Sequence, residues 1–128
     1  MAATPLLSVL VPVYDEVATV RTLLERVRAV PIRKEVIVVD DGSSDGTAEA
    51  HTAYRAEVSD TDDFRLVVVH HERNRGKGAA VRTAMSHVTG DIALIQDADL
   101  EYDPREYPKL LQPILDGHAD VVFGSRFA

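Results

Sequence analysis

Glu35-Val36-Ile37-Val38-Val39 runs directly into Asp40-Asp41-Gly42-Ser43-Ser44-Asp45-Gly46-Thr47. A short, continuous Val/Ile run reads as a strand buried on both faces. The Asp, Ser and Gly residues after it read as a polar turn that opens a helix. Four further runs have the same character: Leu6 to Val13, Arg65 to His70, Ile92 to Ile95 and Asp120 to Phe123. Helical patterns alternate with them. Val17, Val20, Leu24 and Val27 form one stripe, a second stretch runs from Asp45 to Val58, and a third puts Val81, Ala84, Met85 and Val88 on one face. The fourth opens on Asp103-Pro104-Arg105-Glu106, a cap followed by proline at the first helical position and a glutamate three residues after the cap. It is expected to end near Gly117, with a kink or break at Pro108 or Pro113. Such alternation predicts an α/β fold with a mostly parallel sheet flanked by helices. In these sheets ligands sit beyond the carboxyl ends of the strands.

The chain has 128 residues, enough for one domain over 1–128 with a real core. There is no internal repeat or linker, and the acidic stretch Ser59-Asp60-Thr61-Asp62-Asp63 reads as a solvated loop. The absence of cysteine excludes disulfides, cysteine zinc sites and thiol catalysis, and fits a reducing compartment. No apolar run approaches the about 18 residues that span a bilayer, and Met1-Ala2-Ala3-Thr4-Pro5 lacks the basic start of a secretory signal. Fourteen Lys and Arg against 21 Asp and Glu give a net charge of −7, which argues against a nucleic-acid polymer as partner. The same charge repels a phosphorylated ligand unless a metal or local basic groups intervene.

The strand ends carry the candidate chemistry. Pro12-Val13-Tyr14-Asp15-Glu16 closes the first, and Asp40-Asp41-Gly42-Ser43 the second. The latter serves equally as helix capping and tight turns or as acceptors for a ribose or base edge. A calcium loop is rejected, because Thr52 stands where its last carboxylate belongs. After the fourth strand comes Gln96-Asp97-Ala98-Asp99-Leu100-Glu101-Tyr102-Asp103, four carboxylates in seven residues. Crowded, unpaired carboxylates after a buried strand are costly, and a divalent cation relieves that cost. A solvated acidic loop is the alternative; the position directly after Ile92-Ala93-Leu94-Ile95 favours a metal. Arg73-Asn74-Arg75-Gly76-Lys77-Gly78-Ala79-Ala80 reads either as a basic surface turn or as an anion site at a helix N-terminus. It is not a Walker A loop. Gly124-Ser125-Arg126 follows the fifth strand. His70 and His71 face opposite sides of their strand and read as structural. His51, His87 and His118 have no ligand spacing, and no Ser-His-Asp grouping is apparent.

Taken in order, Pro12-Val13-Tyr14-Asp15-Glu16, Val39-Asp40-Asp41-Gly42-Ser43, Gly76-Lys77-Gly78-Ala79-Ala80, Asp97-Ala98-Asp99-Leu100-Glu101 and Gly124-Ser125-Arg126 resemble the family 2 glycosyltransferases of GT-A fold. Within them the chain is most similar to the polyprenyl-phosphate (dolichol-phosphate type) sugar synthases. Asp15 departs from the asparagine usual there. The resemblance implies a Rossmann-like nucleotide-binding half. Pro12, Tyr14, Glu16, Val39 and Asp41 would line the base and ribose pocket, with Asp97 and Ala98 beside them. Asp97, Asp99 and Glu101 would hold Mg2+ or Mn2+ against the diphosphate of a UDP- or GDP-sugar. Lys77 and Arg126 would meet phosphate or acceptor. It implies inverting transfer, most naturally to a polyprenyl phosphate, by a cytoplasmic protein peripheral at the membrane face.

If a hydroxyl acceptor needs a base, the family places that base beyond residue 128, so the chain is expected to be C-terminally truncated. Two other readings compete. One is a non-catalytic nucleotide-binding module lacking the acceptor half. The other is a haloacid-dehalogenase-type phosphohydrolase, disfavoured because that class carries its D-x-D on the first strand.

Overall fold

The chain's first apolar run forms β1 (Leu7–Val13), and every residue in it is buried. The run that opened the sequence reading forms β2 (Lys34–Asp40), equally buried along its length. The computed structural model describes residues 6–98 and 103–115. Among these, β3 (Phe64–His70) and β4 (Ile92–Ile95) complete a four-stranded, all-parallel sheet in the order β3-β2-β1-β4. The helices are α1 (Val20–Ala29), α2 (Thr47–Glu57), α3 (Lys77–Met85) and α4 (Tyr107–Leu115), the last entered through a 3-10 turn at Pro104–Glu106. The expected fifth strand at 120–123 and the helix end near Gly117 lie outside the described residues.

Strand order explains which helix goes where. The chain winds outward from β1 to β2 to β3, then returns to lay β4 on the other side of β1. Right-handed crossovers put helices of opposite winding direction on opposite faces. Accordingly Val9, Val11, Val13, Val36 and Val38 pack with α1, Tyr54 of α2 and Tyr107 of α4. Leu10, Ile37 and Val39, one residue out of phase, pack on Ala80 and Ala84 of α3. The reversal leaves a gap between the C-terminal ends of β1 and β4, where ligands of open parallel sheets sit. β1, β2 and β3 finish level, with Val13 opposite Asp40 and Asp40 opposite His70, while β4 stops earlier, its Ile95 opposite Leu10.

Three helix expectations need correction. Val17 precedes α1 and is 44% exposed; the buried stripe is Val20, Leu23, Leu24 and Val27. The buried face of α3 is Ala79, Ala80 and Ala84, while Met85 is half-exposed. Small residues let α3 lie close against the sheet, and the methionine faces away. Finally, α4 is continuous from Tyr107 to Leu115, without a break at either proline. Pro108 sits in the first turn, where its missing N–H has no helical partner to lose. Asp103 does cap this segment, its side chain accepting the Arg105 N–H at 2.9 Å.

Candidate functional site

Two loops are laced together at the ends of β1 and β2. Asp15 adopts a left-handed backbone (φ +50), which Asp and Asn tolerate better than most residues. It receives the Ser44 N–H on its carboxylate at 2.9 Å, and its own N–H donates to Ser43 Oγ. The Glu16 N–H donates to Thr47 Oγ1 at 2.8 Å. Thr19 Oγ1 then bridges to the next strand end, donating to the Ala98 carbonyl at 2.6 Å.

Asp41 organises the third loop. Its Oδ1 accepts from the Arg75 N–H at 2.9 Å and from His71 Nδ1 at 2.7 Å, and its Oδ2 accepts the Gly76 N–H at 2.8 Å. A carboxylate can only accept, so His71 donates from Nδ1, and its Nε2 lies 2.8 Å from the Thr83 hydroxyl oxygen. Burial pushes the Asp41 carboxyl up, but the bonds from His71, Arg75 and Gly76 outweigh it and leave the group below its ordinary value. Gly42 (φ +76) lets the 73–74 backbone close over this turn. A Cβ there would lie 2.6 Å from the Arg73 carbonyl carbon and the Asn74 nitrogen.

The fourth strand end is pinned from below. Gln96 is fully buried, accepts the Tyr107 hydroxyl on Oε1 at 2.6 Å and donates from Nε2 to the Asp97 carbonyl at 3.1 Å. Asp97 therefore leaves the sheet in a fixed direction, its side chain mostly buried and ion-paired with the Lys77 ammonium.

Together these ends enclose a cleft of about 330 Å³ at the gap between β1 and β4. That is the lower end of the range for small-molecule sites. Pro12, Tyr14, Glu16, Asp41, Lys77, Asp97 and Ala98, all expected from the sequence, line it. Tyr14 is 48% exposed, an aromatic face open to a planar ligand. Val39 is wholly buried and packs against α3, and it is not among the residues lining the cleft. Asp99, Glu101 and Arg126 lie outside the described residues. Sequence reading missed Val13, Asn74 and Ala80 in the lining, and His71 behind Asp41. No local pattern signals His71, because its partner lies thirty residues earlier.

The model of the glycosyl transferase family 2 matches residues 8–128. The chain belongs to this family. The fold agrees: over 81% of this chain and 30% of the other, it superimposes with TM-score 0.70 and 34% identity on mannosyltransferase PcManGT from Pyrobaculum calidifontis, solved with GDP-Man and Mn2+. It likewise matches TarS 1-349 of S. aureus in complex with UDP, with TM-score 0.71 and 28% identity over 89% of this chain and 33% of that one. Among family members of known role, it is 37% identical to the undecaprenyl-phosphate 4-deoxy-4-formamido-L-arabinose transferase of Klebsiella pneumoniae, over 90% of this chain and 35% of that protein. The protein of the same description from Aeromonas hydrophila is 38% identical over 91% of this chain and 36% of its own length. The chain thus spans about a third of the length of the curated relatives it matches.

Proposed function

We propose that this chain is the donor-binding part of an inverting, metal-dependent glycosyltransferase that moves a sugar from a UDP- or GDP-sugar to a polyprenyl phosphate. One observation carries the reading: the ends of β1, β2 and β4 and the start of α3 bring Tyr14, Glu16, Asp41, Lys77 and Asp97 into one cleft at the sheet's reversal point. The described relatives supply the chemical class: undecaprenyl-phosphate sugar transferases by sequence, and proteins solved with GDP-Man or UDP by structure.

In this reading Tyr14 stacks on the base, and Pro12 and Asp41 border the base and ribose. The residues present fit a hard divalent cation. Asp97 offers carboxylate oxygen, and it already holds a cation, the Lys77 ammonium. Asp99 and Glu101 would complete the ligands for Mg2+ or Mn2+, which supplies charge neutralisation to the departing diphosphate. Lys77 would exchange its partner, releasing Asp97 and turning to a phosphate oxygen. Arg126 would face the phosphates or the acceptor. An acceptor phosphate is already anionic, so attack at the anomeric carbon needs no strong base. The protein would work in the cytoplasm, against the membrane face that displays the lipid phosphate. No helix among the described residues is long and apolar enough to cross a membrane.

The alternative reading is a nucleotide-binding module that binds the donor without transferring its sugar. An assay with labelled sugar nucleotide, Mn2+ and polyprenyl phosphate separates the two. Labelled lipid supports the transferase; nucleotide binding without labelled lipid supports the module. Asp97→Asn is expected to weaken metal-dependent nucleotide binding at least about tenfold, with an unchanged circular dichroism spectrum. Undiminished binding by that variant would place the metal elsewhere.

A further inference from the structure

On the opposite face of the sheet from Asp41 and His71 lies a second polar cluster that the donor cleft does not use. Asp40 ends β2, His70 stands opposite it at the end of β3, and His51 reaches them from α2. His51 Nε2 donates to Asp40 Oδ2 at 2.6 Å, and the two imidazole rings are 4.9 Å apart between centroids, tilted by 42°. One ligand atom from each of the three lies within 4.8 Å of the other two.

Two features separate this cluster from a plain buried ion pair. His51 is fully buried, yet its Nδ1 has no hydrogen-bond partner among the described residues. With Nε2 facing Asp40, Nδ1 is left unpaired in the core; an ion between the three residues would be taken by Nε2, with the ring proton moving to Nδ1. Secondly, His70 is solvent-exposed while its two neighbours are not, so the cluster has an entrance from water.

We propose that Asp40, His51 and His70 form a binding site for a borderline transition-metal ion of the zinc type, separate from the donor cleft, with water in the fourth position. Two imidazoles and one carboxylate are the donor set that suits Zn2+ or Co2+ over Mg2+ and Mn2+. The ion would clip the ends of β2 and β3 to α2. It would thereby stiffen the turn after Asp40, whose Oδ1 already accepts the Ser43 N–H at 2.8 Å. The inference does not depend on the nature of the cleft's ligand.

The test is titration of chelator-stripped protein with Co2+, read by visible absorption, with Zn2+ as competitor. The account predicts an intense tetrahedral-type band at one equivalent, bleached by Zn2+. It should survive in Asp97→Asn and in His87→Ala, and weaken more than about tenfold in affinity in His70→Ala. His70 is exposed, so that variant is expected to fold, and Zn2+ should raise the Tm of the wild type but not of His70→Ala. A band absent from the wild type, or equally strong in His70→Ala, would overturn the proposal, as would one lost in Asp97→Asn.

Discussion

Gly42 holds a backbone that only glycine adopts without strain, and it does so under the closest approach in the site. Gly42→Ala is expected to cost about 1–3 kcal/mol from the positive φ alone, and more if the 73–74 backbone resists moving. Urea unfolding would show it as a lowered midpoint with unchanged slope. Lys34 gives a prediction in pH. It is buried, donates to the Val30 carbonyl at 2.6 Å, and burial lowers its pKa to about 8. Below pH 8 the ammonium is charged in both folded and unfolded chains, and the folded chain bears the burial penalty. Between about 8 and the ordinary 10.5 the folded chain loses its proton first, so this residue's contribution to stability rises with pH. Melting at several pH values should show that rise, and Lys34→Met should lack it. At this scale the sequence announced residues whose identity implies a conformation or charge: Asp41, Gly42, Lys77, Asp97. It did not announce those whose role depends on a distant partner. His71 matters through Asp41, and Gln96 through Tyr107.

Among elements, the four described strands were legible almost to the residue from their apolar runs. β1 and β2 are buried throughout, as unbroken runs imply, whereas the edge strands β3 and β4 keep half-buried positions and β3 exposes Arg65. Helix edges were not legible. Val17 fits the stripe of α1 by spacing, but its N–H is bound by Asp45 and its side chain faces water, since the loop there serves the cleft. Glu35, at the start of β2, was equally silent. Its carboxylate is buried and accepts from Ser8 Oγ at 2.6 Å, Thr89 Oγ1 at 2.7 Å and the Thr89 N–H at 2.6 Å. It thereby fastens the turn before β4 to β1 and β2, at the end of the sheet away from the cleft. Glu35→Ala leaves several of these donors unpaired and is expected to destabilise by about 2–3 kcal/mol. Thermal melts would show a fall in Tm, while nucleotide affinity measured below the melt stays as in the wild type. Loss of affinity there would mean that the two ends of the sheet are coupled.

For the whole molecule, the governing fact is the reversal of winding at β1. It sends α3 to the opposite face from α1 and α2, opens the gap that becomes the cleft, and delivers Lys77 to Asp97. The topology was foreseeable as a parallel α/β sheet, whereas the site of the reversal was not, because strand order is a property of packing rather than of any local run. The net charge of −7 raises an electrostatic obstacle to an anionic donor, and the account removes it with a divalent cation at Asp97. Calorimetric titration of UDP-glucose and of GDP-mannose, each with and without Mn2+, tests that claim directly. The account predicts that at least one of them binds with Mn2+ and that binding collapses without it. A folded sample that binds neither, or binds equally well without metal, would contradict it.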